Sequence, residues 1–199
     1  MPSLTNVYLP NAFHSSIDVT VTGGGHPSSP LHIDIGALTS VAPFTSYEYC
    51  RSVLDGSDEI TDLVINRRVC PFENVTAFDL SKYPKLKTLK IGIEGFEYVN
   101  EVNITGLNEL ESVVIGNNSF TKRRNGSGND PNRHFYLKNC PNLESLKIDR
   151  YSFSDYTVFE IENVDALEEI VIGDLSSISY SSYNFNYASL ELKSVFSWI

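Results

Sequence analysis

The residues able to do chemistry are few and scattered. Four histidines, His14, His26, His32 and His134, form no HExxH pair and show no spacing suited to a metal. Cys50, Cys70 and Cys140 lie far apart and make no CxxC pair, so neither a zinc site nor a disulfide framework is indicated and the thiols are expected to be reduced. The run Gly23, Gly24, Gly25 invites a phosphate-loop reading, but no Lys-Ser/Thr follows and no helix begins there. No G-x-S-x-G elbow marks a nucleophilic serine. Glu111, Glu144 and Glu168 recur in one column, and paired carboxylates in a groove could cleave a glycoside. Lys87 shares that column, so it reads as a charged ridge. No catalytic, metal-binding or cofactor-binding residue is assigned, and no enzyme is expected.

Charge narrows the field further. Fifteen Lys and Arg against 25 Asp and Glu leave a formal charge of −10 in 199 residues, which argues against nucleic-acid binding because phosphate backbones need a basic surface. No stretch approaches the roughly 20 apolar residues that span a bilayer. Residues 1–5 lack the basic start and apolar run of a secretory leader, so a soluble, cytoplasmic chain is the expectation. Sequons begin at Asn74, Asn103, Asn117 and Asn125; they matter only to a chain entering a secretory pathway, and without a leader they read as chance matches.

What positions these residues is a repeat. The pattern L-x-x-[LVI]-x-I-[GND] recurs with Ile60/Leu63/Ile65/Asn66, Leu86/Leu89/Ile91/Gly92, Leu110/Val113/Ile115/Gly116, Leu143/Leu146/Ile148/Asp149 and Leu167/Ile170/Ile172/Gly173. The starts are separated by 26, 24, 33 and 24 residues, a unit of 24 with one short and one nine-residue insertion, and that period belongs to a solenoid. A second alternating pair follows in each unit: Phe78/Leu80, Val102/Ile104, Phe135/Leu137, Phe159/Ile161 and Leu190/Leu192. Alternation with polar neighbours predicts a strand on both sides of each coil, and the segments between are too short and too rich in Gly, Ser and Asp for a helix. The column Asn66, Gly92, Gly116, Asp149, Gly173 predicts a left-handed corner after the first strand. Tyr83, Leu107, Cys140 and Val164 form an inward column in which Cys140 replaces a hydrophobe. Phe96, Phe120 and Phe153 are expected to stack inside.

The L-x-x-L-x-I-G motif followed by S-F, as at residues 110–120 and 143–153, resembles the leucine-rich repeats of protist proteins and the BspA-like type. The resemblance spans residues 60–195. It implies a mostly β solenoid of about five coils with parallel strands and little helix, and a role in protein binding. It departs from plant and animal repeats where Gly92, Gly116, Asp149 and Gly173 stand in place of asparagine, which removes the usual asparagine ladder.

Residues 1–59 read as an N-terminal cap with a degenerate coil at Leu31, Ile33, Ile35 and Gly36. They also hold a strand at Ile17, Val19 and Val21 and a helix over residues 46–55 that stops at Gly56. Residues 60–199 read as the solenoid. Its last residues, Phe196, Ser197, Trp198 and Ile199, offer no polar closing element, which predicts a fragment, a covering partner or end-to-end self-association.

Outward positions of the first strand include Asp62/Val64, Thr88/Lys90, Ser112/Val114, Ser145/Lys147 and Glu169/Val171. Solenoids bind partners on such continuous faces. The insertion carries Lys122, Arg123, Arg124, Arg133 and His134, a basic cluster that could dock an acidic partner or its own repeat surface. Residues 176–187 form a second lengthened connection. The functional expectation is a non-enzymatic interaction scaffold binding an unidentified protein. A surface or secreted adhesion protein is the alternative, and a carbohydrate-active β-helix enzyme stands behind both.

Overall fold

Each coil carries two short apolar pairs that it cannot bury alone, so burial requires that coils stack and share one interior. The computed structural model, which describes residues 6–8, 31–34, 47–65, 67–173, 175 and 183–193, shows that stack. The strands in chain order are β1 (Asn6–Tyr8), β2 (Leu31–Asp34), β3 (Ile60–Ile65), β4 (Ala77–Asp79), β5 (Thr88–Ile91), β6 (Glu101–Thr105), β7 (Ser112–Ile115), β8 (Asp130–Lys138), β9 (Ser145–Asp149), β10 (Tyr156–Glu162), β11 (Glu169–Gly173) and β12 (Ser189–Lys193). A helix, α1 (Tyr47–Asp55), precedes β3. The first sheet runs β1-β2-β3-β5-β7-β9-β11 and the second β12-β10-β8-β6-β4. All described pairings are parallel. The protein is thus a mostly β solenoid of about five coils with a period near 24 residues and almost no helix.

Register aligns the repeat columns residue for residue. Leu63, Leu89, Val113 and Leu146 pair in one inward row and Ile65, Ile91, Ile115 and Ile148 in the next, all 2% exposed or less. On β11, the last strand of that sheet, the corresponding Ile170 and Ile172 are 39% and 38% exposed. Between the sheets the expected aromatic column forms and extends. Phe96–Phe120, Phe120–Phe153 and Phe153–Phe185 stack at 5.0, 4.9 and 5.0 Å with planes within 10° of parallel. That spacing is close to the distance between neighbouring strands, so the coil pitch itself sets the ring stack.

The corner is built differently from the expectation. Of the expected column only Gly173 is described with a positive φ. The left-handed residues lie three and five positions after the last strand isoleucine: Arg68 and Cys70, Glu94 and Phe96, Asn118 and Phe120, Tyr151 and Phe153. Gly116 serves another need. A Cβ there would lie 2.8 Å from the Gly92 carbonyl carbon in the coil before, so the glycine permits close backbone approach.

The S-F pair has a purpose on both residues. Ser152 Oγ donates to the Gly116 carbonyl at 2.6 Å and accepts the Ser119 N–H at 3.0 Å. Ser119 Oγ donates to Gly92 O at 2.7 Å and accepts the Gly95 N–H at 3.3 Å. In the last coil Asn184 takes the serine's place before Phe185, donating to Asp149 O at 2.6 Å and Ser152 O at 3.0 Å. The ladder satisfies corner backbone groups that burial would otherwise leave unpaired.

In the first coil the aromatic position is occupied by Cys70, and it is bonded to Cys50 of α1. This corrects the expectation of reduced thiols for these two residues. Cys140 remains free and buried beneath Ile104 O, and burial raises its thiol pKa. The helix ends as expected at Gly56 with φ 79°, where a Cβ would strike Lys82. Tyr83 OH donates to Val53 O at 2.5 Å, fastening the cap to the coil. The positions Ile17, Val19, Val21, Gly23, Gly24, Gly25, Ile35, Gly36, Phe196, Ser197, Trp198 and Ile199 lie outside the described residues.

Candidate interaction site

On the outer surface of the first sheet, the register lines up Asp62, Thr88, Ser112, Ser145 and Glu169 in one row. Val64, Lys90, Val114, Lys147 and Val171 form the next. All ten expected outward residues are therefore brought together, on five consecutive coils. Lysine alternates with valine at strand spacing, so each lysine stem can lie along two neighbouring valines, which are half-buried.

The two lysines differ. Lys147 Nζ is 2.8 Å from Glu169, which also accepts from Ser145 Oγ at 3.2 Å. The ammonium's hydrogen bond holds the Glu169 carboxyl below its usual pKa. Lys90 is exposed and has no ion-pair or hydrogen-bond partner among the described residues. Thr88 and Ser112 flank it in the adjoining row.

Apart from Arg123, the insertion's cations have partners within the chain. Arg124 lies 3.0 Å from Glu97 and 3.8 Å from Glu94, and Glu94 also pairs with Arg68. The Arg68 hydrogen bond is the main reason the Glu94 carboxyl titrates below its ordinary range. Lys122 Nζ sits 5.6 Å from the Tyr98 ring centre. Arg123 is exposed, with its side chain packed over Gly128. His134 is held between Pro131 O and Tyr136 OH. Arg124 and Lys122 rest against the chain's own repeat surface, while Arg123 makes no ion pair among the described residues.

Arg133 is fully buried. Its Nη1 is 2.6 Å from Asp155 Oδ2, Nη2 donates to Val99 O at 2.6 Å and Glu97 O at 2.7 Å, and Nε donates to Val99 O at 3.2 Å. The guanidinium lies 4.8 Å from the Tyr156 ring centre. A charge buried this deep is tolerable only when it is paired and hydrogen-bonded. Tyr156 OH also donates to Val99 O, and desolvation raises its pKa. Composition groups Arg133 with the loop cations; strand parity separates them, since Arg133, Phe135 and Leu137 alternate inward along β8.

The second sheet's outer face is closed by its own charges. Lys138 contacts Glu160 at 2.9 Å and Glu162 at 3.4 Å, and Lys193 contacts Glu160 at 2.6 Å and Glu191 at 2.9 Å. Glu111 of the carboxylate ridge lies 4.0 Å from Lys87. Among the described residues no three His, Cys, Asp or Glu side chains group as a metal would need, and no helix is long and apolar enough to cross a membrane. No protein-family model matches the chain, and no curated protein or solved structure matches it.

Proposed function

We propose that the chain is a non-enzymatic interaction scaffold of the leucine-rich-repeat class, binding a protein partner through the outer face of the first sheet. The observation that carries this reading is Lys90, an exposed cation without a partner among the described residues, framed by Val64 and Val114 in a chain of net charge −10. A surface offering one unneutralised ammonium among half-buried valines fits an acidic group flanked by aliphatic side chains. The repeated L-x-x-L-x-I-G and S-F motifs support the repeat class.

The Cys50–Cys70 bond favours an oxidising compartment over the cytoplasm, because intracellular thiols are kept reduced. Within the scaffold reading we therefore place the chain at a cell surface or in secretion. The test compares wild type with Lys90→Glu and Arg124→Ala in affinity capture from the source cells, each variant first checked by circular dichroism. A partner held by wild type and Arg124→Ala but lost from Lys90→Glu supports the face. Retention by Lys90→Glu overturns it.

A further inference from the structure

The four sequons have very different structural surroundings. Asn117 begins Asn117-Asn118-Ser119, and Ser119 is fully buried with its hydroxyl donating to Gly92 O. Asn117 Oδ1 is itself buried without a hydrogen-bond partner. The hydroxyl that this sequon supplies is therefore committed to the serine ladder. Asn103 lies within β6, and its Oδ1 accepts from Thr105 Oγ1 at 2.5 Å.

Asn74 and Asn125 share another geometry. Val75 N–H donates to Phe72 O at 3.0 Å, closing a turn whose third residue is Asn74. Gly126 N–H donates to Arg123 O at 3.0 Å, closing a turn whose third residue is Asn125. Both asparagines are exposed, and neither Nδ2 has a partner among the described residues. Thr76, the acceptor sequon's hydroxyl residue after Asn74, is exposed as well. Asn74 thus stands on a tight surface turn with no side-chain hydrogen bond among the described residues, while at Asn125 the Oδ1 accepts from Asn118 Nδ2 at 3.0 Å and leaves the exposed Nδ2 without a partner among them.

We propose that Asn74 and Asn125 are N-glycosylated. The proposal rests on the oxidising-compartment reading given above. The co-reactant is an oligosaccharide carried on a lipid pyrophosphate. The Asn Nδ2 bonds to C1 of its first sugar, the C1–O bond to phosphate breaks, the pyrophosphate leaves with the electron pair, and the amide gives up one proton. Asn74 precedes β4 of the second sheet and Asn125 lies in the insertion ahead of β8, so neither belongs to a strand of the first sheet. Glycans at these turns leave the strands bearing Lys90 unmodified.

The full chain, isolated from its own cells, is digested with peptide-N-glycosidase in heavy-oxygen water and its peptides are sequenced by mass spectrometry. Positions 74 and 125 are expected as heavy Asp, and position 117 as unlabelled Asn. Thr76→Ala should lose the label at position 74 alone. Label at position 117, or no label at position 74, overturns the assignment. Alkylation mapping of Cys50 and Cys70 on the same sample separates the two readings. An intact disulfide without glycan defeats only the glycosylation, whereas free thiols without glycan defeat the compartment as well.

Discussion

Two sets of cations, one on the first sheet and one in the insertion, carry the same charge to opposite ends. Lys90 faces outward between valines and makes no ion pair among the described residues. Arg124 meets Glu94 and Glu97 at 3.8 and 3.0 Å, and Arg133 is buried on Asp155. What separates an unpaired cation from a structural one is therefore the residue that the adjacent coil supplies beside it. Where the next coil supplies a carboxylate the charge becomes internal, as Lys147 becomes through Glu169. Where it supplies Ser112 in the position that Glu169 takes beside Lys147, Lys90 makes no ion pair among the described residues.

Several substitutions would break or sharpen this contrast. The largest effect is expected from Arg133→Ala, which leaves Asp155 buried and uncompensated and should cost about 3–5 kcal/mol in urea unfolding. A loss below about 1 kcal/mol would mean that the pair is solvated and the contrast overstated. Replacing Cys50 and Cys70 together by Ser should cost about 3 kcal/mol, since the bond closes a loop between residues 20 apart in sequence; the thermal midpoint with and without reductant checks it. Arg124→Ala is expected to cost only about 0.5–1 kcal/mol, because its ion pairs are partly exposed. Lys90→Glu should change stability by less than about 0.5 kcal/mol while abolishing partner capture.

Acid titration sharpens the same point more gently. Glu94 has its carboxyl pKa lowered from 4.5, mainly by the Arg68 hydrogen bond. Its contribution is fully present above that ordinary value and is lost as pH falls through the lowered one. The urea midpoint should decline in that window for wild type and decline less for Arg68→Ala.

Much of the architecture was legible because a period of 24 writes the same inward residues into successive coils. Leu89, Val113 and Leu146 were assigned inward on spacing alone and are fully buried. The corner was misread for a physical reason. Gly116 is small because the Gly92 backbone approaches it, while the left-handed turn falls on Phe96, Phe120 and Phe153, residue types that give no conformational signal. Cysteine spacing alone does not show the Cys50–Cys70 bond; the repeat does. Cys70 stands five residues after Ile65, where later coils place phenylalanine, and Cys50 lies on the helix expected to cover that end. Arg133 was grouped by composition, though its parity with Phe135 already placed it inside.

The serine ladder bears on how such a chain can grow. The coils of Ser119-Phe120 and Ser152-Phe153 each bring a hydroxyl, a stacking ring and a pair of strands, and each hydroxyl needs only the carbonyl of the coil before it. An in-frame copy of one 24-residue segment would therefore arrive with every group required to join both neighbours. Even the nine-residue insertion leaves the succession intact, because it begins after Phe120 and rejoins before Phe135. Lineages built on this plan can thus lengthen by duplication, one coil at a time, and diversify in the loops without reinventing the corner.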